Sequence, residues 1–265
     1  MTPEPAALRE AVRRESARFR EAVVAAAPDA PVPSCPDWTA DDLLHHLTEV
    51  QSFWAWVLRE AVTEDPDRPE PPRAGDRAAL LESYDRAHGE LLAALGSVGP
   101  AEPRWSWAAD QTAGFTFRRQ AHEALIHRVD AELAADLPRA PLDPALAADG
   151  VDEALRVMFG GVPDWATFAP TPGGLVRLST TDTDDRWTVH LGRCHGTAPS
   201  GRTHDLAVLE VLDDTDPADP SATVRGTAAD LDVWLWGRPT TAPVEREGDP
   251  AVLAELQALL DEGVG

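Results

Sequence analysis

The sequence predicts an α+β protein of two domains, with an N-terminal antiparallel four-helix bundle followed by a smaller α+β domain. Three observations carry that expectation. Up to about residue 136, apolar residues recur at helical spacing in four runs joined by modest loops. Pro138, Pro141 and Pro144 then interrupt the chain, so the domains are expected at 1–140 and 141–265. Beyond them, alternating strand patterns and turn residues mix with shorter helical runs.

The first helix is read from residues 6–27, where Leu8, Val12, Phe19, Val23 and Val24 fall near helical spacing and Pro28 stops the run. A Pro-rich loop follows. Thr39 then suits an N-cap, with Asp42 three residues on, and the second helix is expected to run to about Glu64. The third spans roughly 75–96 and the fourth roughly 115–136, with Trp105 and Trp107 in the loop between them. In the second half a helix over roughly 144–160 ends at Gly160-Gly161. Leu175–Thr181 and Arg186–Leu191 flank Asp182-Thr183-Asp184-Asp185 as a hairpin. Leu206–Leu212 and Ala222–Arg225 read as further strands, and helices follow at about 227–236 and 250–261.

Composition narrows the function. The 265 residues include 43% hydrophobic ones, enough for a real core. A net charge of −23 repels polyanions and excludes nucleic acid as the expected partner. No apolar run approaches the roughly 18 residues of a membrane span. The first residues lack the basic and apolar regions of a signal peptide. Two cysteines, Cys35 and Cys194, make no disulfide framework. The expectation is a soluble cytoplasmic protein whose partners are small molecules, not membranes.

The chemistry concentrates on the fourth helix. Glu123 and His127 stand one turn apart on one face, and a carboxylate and an imidazole so spaced can grip a divalent metal. Asp130 lies on the same side as an outer-shell partner. A third ligand has to come from elsewhere. On the second helix Leu43, Leu47, Val50, Trp54 and Val57 define the inward face, with His46 at its edge and His45 turned the other way. The spacing leaves alternatives open. His46 equally suits a hydrogen-bonded core histidine, and Glu123 with His127 a surface pair. Charges interrupt both faces of the fourth helix, so periodicity does not say which face turns inward.

The run Pro33-Ser34-Cys35-Pro36-Asp37-Trp38-Thr39-Ala40-Asp41-Asp42-Leu43-Leu44-His45-His46-Leu47 resembles the N-terminal signature of the mycothiol-dependent maleylpyruvate isomerase family, part of the DinB-like four-helix metalloproteins. In that family a ligand histidine follows eight residues after the Trp, which here is His46. Arg119, Glu123, His127 and Asp130 match its second signature. Gly226-Thr227-Ala228-Ala229-Asp230-Leu231 and Trp234-Leu235-Trp236-Gly237-Arg238-Pro239 resemble its C-terminal domain, which is sterol-carrier-like.

The resemblance implies that His46, Glu123 and His127 hold Zn²⁺ or another divalent metal. Two His and one Glu leave coordination open for water or substrate. It also implies that the open position takes the thiol of mycothiol, with Arg119 and Trp38 as cofactor-binding residues and Arg238 as a catalytic residue from the second domain. An ionised thiol would then add to a small electrophile. Reversible addition to a cis double bond gives an isomerase, and a retained adduct gives an S-transferase. The alternatives are a thiol-independent metalloprotein and a small-molecule-binding module of a specialised pathway.

Other motifs point to less. His122 and His127 are five positions apart, where the zinc-protease motif needs four. Cys194 and His195 adjoin on a strand and so point to opposite faces. Cys35 reads as a loop residue. The acidic turn at Asp182, Asp184 and Asp185 lacks the glycine and terminal Glu of a calcium loop. Trp38, Trp105 and Trp107 are candidate pocket residues.

Overall fold

The structure is a computed structural model that describes residues 2–66, 73, 75–212 and 219–263. It is α+β. The chain divides into two compact units, Thr2–Pro141 and a second from Leu142 onward.

The first unit contains α1 (Pro5–Ala25), a small ribbon of β1 (Pro31–Val32) and β2 (Cys35–Thr39), then α2 (Ala40–Arg59), α3 (Arg77–Ser97) and α4 (Ala113–Ala134). The Pro-rich stretch read as a loop therefore carries an antiparallel ribbon, in which Pro31 faces Thr39 and Val32 faces Cys35. Two such short strands, studded with prolines, have no alternating pattern to detect. The ribbon delivers the chain to Thr39, where α2 begins with a complete capping box. The Thr39 hydroxyl accepts from the Asp42 amide, and Asp42 accepts from the Thr39 amide at 2.9 Å. Hydrogen bonds from Thr39, with the Arg73 guanidinium beside it, hold the Asp42 carboxyl down at about 2.

The helices run antiparallel across the bundle and parallel within two close pairs. Between α1 and α3, Arg77 donates to the Ala26 carbonyl at 3.0 Å, and farther along α3 Arg20 meets Asp85 at 2.5 Å and Tyr84 donates to the Ser16 carbonyl at 2.9 Å, so these two run in opposite directions. Along α2 and α3, Arg77 pairs with Asp41 at one end and Arg59 lies 3.7 Å from Glu90 at the other, so these two run in the same direction. α2 ends at Arg59 and α3 begins at Arg77, so more residues separate the two helices than the sequence suggested. Phe19, Leu43, Leu44, Leu47 and Tyr84 fill the centre with almost no exposure. Burial of each leucine contributes about 1.5–3 kcal/mol.

The second helix ends at Arg59, short of the expected Glu64. Ala61 turns into the left-handed region at φ 51°. The Val62 amide reaches back to the Val57 carbonyl at 3.1 Å, and that of Ala61 to Leu58. These two bonds make a Schellman stop. The same stop closes α4 at Asp136, whose φ is 54°, with Leu137 bonded to the Glu132 carbonyl. Ala61 is not the glycine that signals such an end, which is why the apolar pattern of α2 overran, whereas α4 ends close to the expected residue 136.

The second unit contains α5 (Pro144–Glu153), a π-helical turn (Ala154–Met158), β3 (Ala166–Thr180), β4 (Arg186–Thr197), β5 (Thr203–Leu212), β6 (Ala222–Gly226), α6 (Ala228–Leu235), β7 (Glu245–Gly248) and α7 (Pro250–Glu262). The five strands form one sheet in the order β5-β4-β3-β6-β7, with β3 and β6 parallel and the other neighbours antiparallel. Val176, Leu178, Val189, Leu191, Leu209 and Val224 point from the sheet into a core that Leu155, Leu231, Leu235, Leu256 and Leu259 close from the helices.

Four strands differ from expectation. β3 begins at Ala166 rather than Leu175, because Pro170, Pro172, Gly173 and Gly174 conceal a strand that absorbs them as a bulge between Pro170 and Leu175. β4 and β5 are correspondingly longer, and β5 begins at Thr203. β7 was not anticipated, since Glu245-Arg246-Glu247-Gly248 is exposed throughout and shows no apolar face. The expected helix over 144–160 widens into the π-turn and stops at Met158; a Cβ on Gly160 would sit 2.6 Å from the Leu155 carbonyl. The acidic turn is structural, with Asp182 accepting from the Ala228 amide at the start of α6 at 2.8 Å.

The stop at Ala61 yields a prediction. Ala61→Gly removes a Cβ from a left-handed residue and should stabilise the protein by about 0.5–1 kcal/mol, read as a higher denaturation midpoint at unchanged slope. A lower midpoint would contradict the left-handed assignment.

Candidate metal centre

Two helices build the site. α2 presents His46 two turns beyond its capping box, and α4 presents Glu123 and His127 on successive turns. Since α2 and α4 run antiparallel, the three side chains meet across one seam. Glu123 Oε1 lies 3.3 Å from His46 Nε2 and 3.1 Å from His127 Nε2. One ligand atom from each residue falls within 4.8 Å of the other two. His46 and His127 approach edge to face, with ring centroids 4.9 Å apart. Exposure decreases inward, from 33% for the His46 side chain to 17% for Glu123 and 11% for His127. The cluster is thus open on the α2 side and closed on the other.

Further contacts fix these orientations. His127 Nδ1 lies 2.9 Å from Asp130 Oδ2, which leaves Nε2 directed at Glu123. Asp130 is fully buried and its other oxygen accepts from the Ser34 hydroxyl, so the β1–β2 ribbon braces the helix from behind. Arg119 donates to Glu123 Oε2 at 3.1 Å, leaving Oε1 to the two imidazoles. The Trp38 ring lies 4.7 Å from that of His46 and 6.3 Å from that of His127 and walls the cluster on one side.

The charges respond to one another. Burial opposes a charge on Glu123, but the charge of His127, hydrogen bonds from both imidazoles, and Arg119 together hold its carboxyl well below the usual range. Burial likewise opposes a charge on His127, yet Glu123 and Asp130 overrule it and push the imidazole up to about 9. Without an ion, the cluster is therefore an anionic carboxylate beside an imidazolium. A divalent cation fits the donor set by displacing one proton, because Nε2 of each histidine and Oε1 of Glu123 already converge while Asp130 holds the His127 tautomer.

The remaining candidates divide clearly. Among the residues singled out from sequence, His46, Glu123, His127, Asp130, Arg119 and Trp38 come together. His45 turns away to Glu49 at 3.4 Å. Arg238 belongs to the second unit, where its guanidinium donates to the Trp236 carbonyl at 2.5 Å. β4 puts Cys194 inward, with burial raising its thiol, and leaves His195 exposed beside Asp205. Trp105 stacks on Trp54 at 6.0 Å, and Trp107 meets Phe115 edge-on while half exposed. The sequence reasoning missed Ser34. Its only signal was its place in the run ahead of Trp38.

A four-helix bundle with a His-Glu-His cluster in its α2–α4 seam, followed by an α+β domain, defines the class of this protein. Residues 9–132 match the family model described as the mycothiol maleylpyruvate isomerase N-terminal domain, and residues 145–255 match the model of the same family's C-terminal domain. The chain belongs to that family. Two solved structures share its fold. One is the mycothiol-dependent maleylpyruvate isomerase, at TM-score 0.59 and 13% identity, and the other is a histidine-to-alanine mutant of such an enzyme, at TM-score 0.62 and 14% identity. Each comparison covers 94% of this chain and 97% of the other. No curated protein matches the chain.

The elevated His127 pKa has a signed consequence for the metal-free protein. The unfolded imidazole titrates near ~6.5, so the folded-state charge contributes its full stability below that pH, and the contribution is lost as pH rises through about 9. Metal-free protein should therefore show a histidine proton resonance titrating near 9, and Asp130→Asn should move it down. A resonance for His127 titrating near ~6.5 would contradict the assignment.

Proposed function

We propose that the protein is a divalent-metal-dependent enzyme that uses a low-molecular-weight thiol, mycothiol in the family's name, against a small electrophilic substrate. The observation that supports it is the convergence of His46 Nε2, Glu123 Oε1 and His127 Nε2 on one point, with Asp130 behind His127. Zinc is the metal we favour, since two imidazoles and one carboxylate match its nitrogen and oxygen preferences with a position left over. Bound there, the ion would supply a Lewis acid that keeps a thiol ionised at neutral pH.

The protein's own residues set up that chemistry. Asp130 holds the proton of His127 on Nδ1 and so keeps Nε2 available. Arg119 fixes one oxygen of Glu123 and turns the other inward. Trp38 shields the face of His46 and limits water on that side. The thiolate would add to an electrophilic carbon of the substrate. Elimination after rotation returns an isomer, and retention leaves an S-conjugate. We propose Arg238 as the substrate contact from the second unit on the strength of the family resemblance alone.

Metal content separates the ligands from their neighbours. His46→Ala should lose at least tenfold in zinc affinity, while His45→Ala should retain wild-type content. Equal content in both variants would overturn the assignment. Zinc-loaded protein at pH 7 should also release close to one proton per thiol bound, and the metal-free protein none. Binding of small apolar compounds without proton release from any thiol would favour the binding-module alternative.

A further inference from the structure

Gln120 stands two turns before His127 on α4, and Thr116 two turns before Glu123. Residues so spaced share a face, so Thr116, Gln120, Glu123 and His127 form one stripe along the helix. One end of that stripe meets α2 through His46. The seam continues past the other end, where the Trp54 ring of α2 lies 5.6 Å from that of Phe115. Gln120 and Thr116 are both fully buried. Yet neither the oxygen nor the nitrogen of the Gln120 amide, nor the Thr116 hydroxyl, has a hydrogen-bond partner among the described residues.

Gln51 reaches Ser16 at 2.8 Å, and Arg128 reaches Glu15 and Glu132 at 3.0 and 2.8 Å, so each is anchored even though Gln51 Oε1 and Arg128 Nη2 have no partner among the described residues. An amide buried with both ends unmatched lowers stability relative to an apolar side chain of similar shape, and a second unmatched group one turn away compounds the loss. A group of this kind is explained by a partner that arrives. Side chains on a helix lean toward its N-terminus, so Glu123 and His127 are inclined toward the turn that carries Gln120. On the facing helix, Val50 and Phe53 lie one and two turns beyond His46 and are half-buried, so the seam is reached from the α2 side.

We propose that Gln120, assisted by Thr116, recognises the ligand that enters the His46–Glu123–His127 centre, and that this ligand is a thiol bearing an amide on an arm directed along the α2–α4 seam. The rise of the helix places Gln120 about 4.5 Å along the axis from Glu123, so the amide stands a few bonds from the sulfur. Chemistry selects the amide. The Gln120 side chain offers one acceptor and one donating nitrogen, and a second amide complements both, whereas a carboxylate leaves the Gln120 oxygen unmatched. Gln120 is covered in the ligand-free protein, so entry of the arm displaces the side chains over it.

The inference rests on the thiol reading of the centre, and its test separates the two. Zinc-loaded wild type and Gln120→Met, close to isosteric and favourable in a helix, are titrated calorimetrically with N-acetylcysteamine and with pentanethiol, which lacks the amide. The substitution should weaken N-acetylcysteamine about tenfold, leave pentanethiol unchanged or tighter, and keep the zinc content. It should also raise the denaturation midpoint of the ligand-free protein. Thr116→Val should weaken N-acetylcysteamine about threefold with pentanethiol unaffected. Equal effects on the two thiols, or a lower midpoint for Gln120→Met, would show a paired core amide and overturn the inference while leaving the thiol reading standing. A wild type that binds neither thiol would overturn both.

Discussion

A single carboxylate oxygen, Oε1 of Glu123, is shared between the Nε2 atoms of His46 and His127, and the rest of the first unit is arranged to keep it there. Two acceptors facing one acceptor would repel unless a cation or a proton lies between them. In the metal-free protein the proton on His127 fills that role, which is why its imidazole stays charged up to about 9 despite burial. The arrangement is electrostatically unfinished without positive charge at its centre. The divalent ion we propose would take the place that this proton holds.

Positioning that oxygen explains features that would otherwise look unrelated. The β1–β2 ribbon brings Ser34 to Asp130 and Trp38 to His46 in one short stretch. The capping box at Thr39 then fixes where α2 starts, and so the angle at which His46 emerges. On α4, the buried Arg128 ties Glu132 to Glu15 of α1 and to the Ala140 carbonyl, which sets the helix against its neighbour. Removing one partner from such a pair leaves a buried charge unmatched, a loss of roughly 3–5 kcal/mol. These contacts limit the freedom of α4 to rotate, and rotation is what would separate Glu123 from His46.

Legibility in the sequence followed the physics of each element. α2 was readable because one face is apolar and the other is not, and the same wheel separated His46 from His45. α4 was not, and the structure shows why. It is buried on nearly every side, and its charges are paired inside the protein rather than turned to solvent, as with Arg128, Asp130 and Glu132. Periodicity measures the contrast between water and core, and α4 has little of it. The grouping of His46 with Glu123 and His127 therefore came from motif resemblance instead of pattern. The end of α2 at Ala61 escaped because a left-handed stop without glycine leaves no mark. The first half of β3 and all of β7 escaped because proline, glycine and charge stood where alternation was sought.

The central claim is that His46, Glu123 and His127 converge in order to hold one divalent ion. Anomalous diffraction from crystals of zinc-loaded protein, recorded on both sides of the zinc edge, tests it most directly. The account predicts one strong peak per chain within bonding distance of His46 Nε2, Glu123 Oε1 and His127 Nε2. A peak at other residues, or none there at full zinc loading, would contradict it.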